Sequence, residues 1–192
     1  MEKTKEKQRV VFLKGKKTVL RPFKKDTDLE LVLRWINDQE VTQYLSRYLP
    51  ASIKEEEEWF DNLSTRKNDL IFAVETLEGA LIGSMGLHSI NWKDRVANHG
   101  VIIGEKEYWS KGYGKDAHMI LLDYAFNSLN LRKVCSQVIS FNERSLNYHL
   151  TCGYKEEGSQ LKQFYKKGQY WDLIILGLFK EEWLIKWGEY NK

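Results

Sequence analysis

Apolar and polar positions along the chain change period several times, and each change predicts an element. Val10 to Phe23 carries an apolar run on either side of Gly15 and predicts a pair of strands closed by Arg21-Pro22. Leu29, Leu33 and Ile36 share one face of a helix with Asp26 as its predicted N-cap, ending near Asn37-Asp38. Beyond Pro50, Ser52-x-x-Glu55 is a capping box that opens a second helix. Leu70 to Thr76 and Ala80 to Ile90 read as strands joined through Glu78-Gly79, and a third runs from Asp94-Arg95 to Ile103. A glycine-containing bend follows, then a helical face made of Ala117, Ile120, Leu121, Tyr124 and Ala125. Val134 to Phe141 is a further strand, and Asn142 caps a helix that stops at Gly153. Glu156 to Phe164 and Tyr170 to Leu178 form a last hairpin around Lys167-Gly168. Trp183, Leu184 and Trp187 mark a C-terminal helix over 180–192. Strands and helices in this order predict an α+β chain, a sheet layered with helices.

Composition narrows the class. The 192 residues are 42% hydrophobic and 30% charged, which fits one soluble domain with a real core. A net charge of +3 argues against a nucleic-acid binder, and no apolar run is long enough to span a membrane. Residues 1–9 form a lysine- and glutamate-rich tail without the apolar core of a signal peptide. Cys135 and Cys152 have no metal or disulfide spacing, and with that tail they imply a reducing, cytoplasmic setting without a metal. Glu55 to Glu58 splay around a helix and cannot converge on a ligand, so they are expected to be a solvated helix start.

The chemistry concentrates between Ile102 and Phe126. A strand enters Trp109-Ser-Lys-Gly-Tyr-Gly-Lys115, and a helix leaves it. Gly112 and Gly114 let a ligand approach the main chain, and the first-turn N–H groups and the helix dipole favour an anion there. Lys111 and Lys115 add charge, so the segment is expected to cradle a pyrophosphate. A Walker loop is excluded because Asp116 follows Lys115. A dinucleotide fingerprint is disfavoured by the gap between Ile103 and Gly112.

Trp109-Ser-Lys-Gly112-Tyr-Gly114 resembles the acetyl-CoA loop of the GNAT N-acetyltransferases, Q/R-x-x-G-x-G/A, with Trp in the first place. Asn142 to Tyr154 resembles the later motif of that family, N-x-x-[SA]-x-x-x-Y-x-x-x-G-[FY]. The resemblance covers roughly residues 10 to 180. It is closest to the branch of ribosomal-protein alanine (RimJ/RimL type) and spermidine N-acetyltransferases. It implies the GNAT fold, a mixed and mostly antiparallel sheet of about seven strands flanked by helices. It also implies acetyl-CoA as co-substrate and attack by a neutral primary amine, of a protein N-terminus or a small molecule. Polyamines, amino sugars and aminoglycosides are the alternative acceptors, and a weakly catalytic acetyl-CoA-binding module is a further one. A homodimer is expected by analogy.

The resemblance assigns the cofactor to Ile102, Ile103, Lys111, Gly112, Tyr113, Gly114, Lys115, Asn142, Ser145 and Tyr148. Tyr148 is assigned the place of the family tyrosine that protonates or hydrogen-bonds the CoA sulfur. Where the branch often carries A-E-x-G, this chain reads Ala97-Asn98-His99-Gly100, so the usual carboxylate base is replaced by Asn98, which hydrogen-bonds but takes no proton. His88 and His99 are expected to be structural. Trp35 and Asp172 are candidates for the acceptor pocket, with core packing as the other reading of Trp35 and a structural role as that of Asp172.

Overall fold

The computed structural model describes residues 10–192, so the tail expected at 1–9 lies outside the described residues. Eight strands form one sheet: β1 (Leu13–Lys14), β2 (Thr18–Arg21), β3 (Leu70–Thr76), β4 (Leu81–Asn91), β5 (Val96–Ile103), β6 (Lys133–Ile139), β7 (Lys155–Lys166) and β8 (Gln169–Phe179). Their order is β1-β2-β3-β4-β5-β6-β8-β7. The sheet is antiparallel except where β5 pairs with β6. The helices are α1 (Lys25–Asn37), α2 (Gln39–Thr42), α3 (Ile53–Asp61), α4 (Tyr113–Asp123), α5 (Glu143–Thr151) and α6 (Lys180–Asn191).

Alternation along the strands sorts their side chains into two cores. Val74, Ile82, Met85, Leu87, Leu121, Phe126 and Trp183 bury one face of the sheet under α4 and α6. Ala73 and Leu81 meet Val32, Trp35 and Phe60 of α1 and α3 on the other face.

Several local expectations change. Among the described residues the sheet has eight strands, one more than the seven or so that the resemblance implies, and the pair expected around Gly15 is present. Helix α1 starts at Lys25 with no side-chain cap, so Asp26 is not its N-cap. Asp28 serves that end instead, accepting from the Lys24 N–H (2.8 Å) while paired with buried Arg21. Ser52 and Glu55 form the expected capping box. Glu56 is buried, however, and burial raises its pKa, so the acidic run is not uniformly solvated. The α-helical part of the central helix ends at Asp123, and the chain closes through a π turn over Tyr124–Ser128.

One contact fixes the central helix. Asp116, buried in the first turn of α4, accepts from the main-chain N–H groups of Lys16 (2.9 Å), Lys17 (3.0 Å) and Thr18 (2.9 Å). It also accepts from the Thr18 hydroxyl (2.7 Å) and from Tyr190 of α6 (2.7 Å). The first hairpin and the last helix are thereby latched to the start of α4.

Candidate active site

β5 and β6 stay paired only from Val96↔Lys133 to Asn98↔Cys135 and then part. Their separation opens a cavity of about 860 Å³ that reaches both faces of the sheet. On the α4 side its wall includes Ile103, Gly112, Gly114, Lys115, Ser145 and Tyr148. On the α3 side it includes Tyr44, Trp59, Arg66, His88 and Asn98.

The loop expected to cradle an anion is built around a glycine and an open helix start. Gly112 has φ +84°, a left-handed conformation that favours glycine. The first intrahelical bond of α4 runs from the Asp116 N–H to the Gly112 carbonyl, so the N–H groups of Tyr113, Gly114 and Lys115 lack intrahelical acceptors. A Cβ on Gly114 would touch Ile103 and Tyr148, each at 3.7 Å, so glycine keeps this passage open. Trp109 is structural here, its indole N–H donating to the Ile103 carbonyl (2.6 Å). Two cations that the sequence did not single out join the loop. Lys17 donates to the Lys111 carbonyl (3.0 Å), and Arg144 stacks on Trp109 at 3.9 Å. Lys111 and Tyr113 lie off the cavity wall; Tyr113 packs edge-on against Tyr108 (5.0 Å). Ile102 lines the wall, as does Asn142, whose side chain accepts from the Ser145 N–H (3.1 Å).

Helix α5 requires a correction of register. Counted from Asn142 to Gly153, the tyrosine place of the family pattern falls on His149, and Tyr148 stands one residue earlier. One residue on a helix turns a side chain by roughly 100°. The Tyr148 ring therefore packs on His118 (5.3 Å), and its hydroxyl is buried without a hydrogen-bond partner among the described residues. Burial, with Cys152 and Tyr154 nearby, holds that phenol well above its usual pKa.

His149 instead faces the root of the split. Its Nδ1 lies 2.7 Å from the Ser145 carbonyl, which assigns the proton to Nδ1 and leaves Nε2 as acceptor. Nε2 meets the Ser136 hydroxyl (2.8 Å) and Nδ1 of His99 (3.4 Å). His99 stacks on His118 at 3.7 Å, and His118 meets the Tyr154 hydroxyl at 3.1 Å. Burial drives all three imidazoles toward the neutral form, His149 to about 4. His99 is thus part of a packed polar cluster, not a lone strand histidine. Among the described residues no group of three or more His, Cys, Asp or Glu side chains is placed to hold a metal ion.

Two acceptor-site candidates move away. Trp35 is buried, donates from its indole to Glu105 (2.9 Å), and does not line the cavity. Asp172 accepts from the Lys162 N–H (2.7 Å) across the β7–β8 hairpin and is likewise off the wall. Asn98 is exposed on the wall beside His88, its register partner on β4. None of the described residues lining the cavity is Asp or Glu; the charged ones are Arg66, Lys115 and Arg144.

A split parallel pair, a glycine loop at a helix start and a through-sheet cavity are together the frame of an acyl-group transferase. The acetyltransferase (GNAT) domain model matches residues 17–155, and the chain belongs to that family. It is 28% identical to the spermidine N(1)-acetyltransferase of Vibrio cholerae over 157 residues, 82% of this chain and 90% of that protein. It is 34% identical to the putative ribosomal N-acetyltransferase YdaF of Bacillus subtilis over 106 residues, 55% of this chain and 57% of that protein. The crystal structure of the Vibrio cholerae enzyme in complex with CoA and spermine superposes with a TM-score of 0.81, covering 87% of this chain and 98% of that one. No helix of the described residues is long and apolar enough to cross a membrane.

Proposed function

We propose that this acetyltransferase moves the acetyl group of acetyl-CoA, by direct attack in a ternary complex, onto a substrate whose one primary amine, attacking in its neutral form, is its only cationic group. The pyrophosphate would lie over the N–H groups of Tyr113, Gly114 and Lys115, with Lys17, Lys115 and Arg144 supplying positive charge. The pantetheine arm would enter between β5 and β6 along Ile102 and Ile103. The CoA held by the Vibrio cholerae relative supports this cofactor.

The observation that carries the acceptor reading is the wall itself. A polyamine keeps further ammonium groups, each of which needs a carboxylate or carbonyl partner when desolvated. Among the described residues no carboxylate lines this cavity, and Arg66 would repel a second cation. A peptide N-terminus or a small monoamine fits Tyr44, Trp59 and Arg66 better, although named relatives acetylate spermidine. The test is CoA release from acetyl-CoA with spermidine, amino sugars, aminoglycosides, and alanine- or serine-starting peptides. Turnover of monoamines or peptides at least tenfold faster than spermidine is expected. A preference for spermidine would refute the acceptor reading.

A further inference from the structure

Gly86 and Gly100 face each other across β4 and β5, on the face of the sheet that carries Asn98. Glycine within a strand commonly marks a close approach by another group. Here that group is the imidazole of His88. Its Nε2 lies 3.0 Å from where a Cβ on Gly100 would stand and 3.3 Å from one on Gly86. The ring starts opposite Asn98, at the last paired position of β5 and β6, and leans two residues on to where those strands have parted. His88 lines the cavity and is half-buried, and its ring nitrogens have no hydrogen-bond partner among the described residues. His99, His118 and His149 are the contrast: packed, buried and tied to one another.

Resting on the acetyltransferase reading, we propose that His88 is the general base of this enzyme, on the acceptor side of the split, where Asn98 can position an amine but cannot take its proton. The amine nitrogen forms its bond to the acetyl carbon, and the carbon–sulfur bond breaks. The amine proton passes to Nε2 of His88 and from there to solvent, while the CoA thiolate takes up a proton. The charged and titratable groups around His88 are consistent with a neutral imidazole near pH 7. Burial lowers its pKa, Asp69 opposes that shift, and Arg66 adds to it. His99 on the neighbouring strand, which His88 influences electrostatically, is itself held neutral.

The test is kcat and the pH profile of kcat/KM for wild type and His88→Gln, with the best amine of the panel, beside calorimetry of acetyl-CoA binding. The expected kcat loss is about 100-fold at unchanged acetyl-CoA affinity, the size typical of removing a positioned base. At low pH the wild-type log profile should rise with a slope of about two, from the amine and His88, and the variant with a slope of about one. Gly100→Ala, which crowds the ring without removing it, should lower kcat in the same direction. A His88→Gln enzyme within about threefold of wild type, or with an unchanged acidic limb, overturns the proposal. An NMR titration of the acetyl-CoA complex adds a readout independent of turnover, and a His88 still protonated at pH 7 also overturns it. Absence of acetyl-CoA binding by the wild type would overturn the acetyltransferase reading itself, and the proposal with it.

Discussion

Replacing Asp116 by alanine removes the acceptor that joins the first hairpin, α4 and α6. The carboxylate receives five hydrogen bonds, and their surroundings set what each loss costs. The Thr18 residue is fully buried, so its N–H and hydroxyl would be left unmade, at about 1–3 kcal/mol each. The N–H groups of Lys16 and Lys17 and the Tyr190 hydroxyl lie nearer the surface, where water replaces the carboxylate at roughly 0.5 kcal/mol each. Relief of carboxylate desolvation offsets part of this, leaving a net loss of about 3 kcal/mol. For a chain of this size that lowers Tm by about 6–12 °C. The assay is urea unfolding of wild type, Asp116→Ala and Tyr190→Phe, with the midpoint falling at constant m. Tyr190→Phe removes one donor and should cost under about 1 kcal/mol. An Asp116→Ala loss below about 1 kcal/mol would show that the latch is incidental and that the reasoning is wrong.

The remaining expectations concern pH and the cofactor loop. Folding lowers the His149 pKa from 6.5 to about 4, so its contribution to stability is full above 6.5 and is lost as pH falls toward 4. The shift corresponds to about 3 kcal/mol. Acid titration of ΔG should therefore steepen in this window and flatten in His149→Gln; an identical slope in the variant would count against a buried neutral imidazole. Gly112→Val forces a branched residue into φ +84° at the cradle and should weaken acetyl-CoA at least tenfold; unchanged calorimetric affinity would mean the loop is misplaced.

What the sequence disclosed was the part written locally. The capping box at Ser52, the Asn142 cap and the Gly112 loop each depend on a few consecutive residues, and all three are formed. The register of α5 is legible too: the family spacing from Asn142 falls on His149 and not on Tyr148, and on a helix one place exchanges a strand-facing for a helix-facing position. For Asp172 and Trp35 the sequence leaves a pocket role and a structural role open, and the structural role is the one their contacts fit. Their partners, Lys162 and Glu105, are set by a strand register and a loop that no short window of sequence contains. The same limit hid Lys17, Arg144 and the histidine cluster, whose members come from β5, α4 and α5. Gly86 and Gly100 were a usable signal, since paired glycines inside strands invite the question of what lies over them.

The imidazole resting on two opposed glycines also constrains how this sequence can drift. A side chain at position 100 would enter the space of the ring, and one at position 86 would strike the Leu70 carbonyl as well. The imidazole keeps this seat over the split only while 86 and 100 stay bare, and an added methyl at 100 obliges the ring to give by a few tenths of an ångström. The three positions are therefore coupled: a branched or longer residue at 100 displaces the imidazole, whereas a carboxylate at 98 would make the site independent of it.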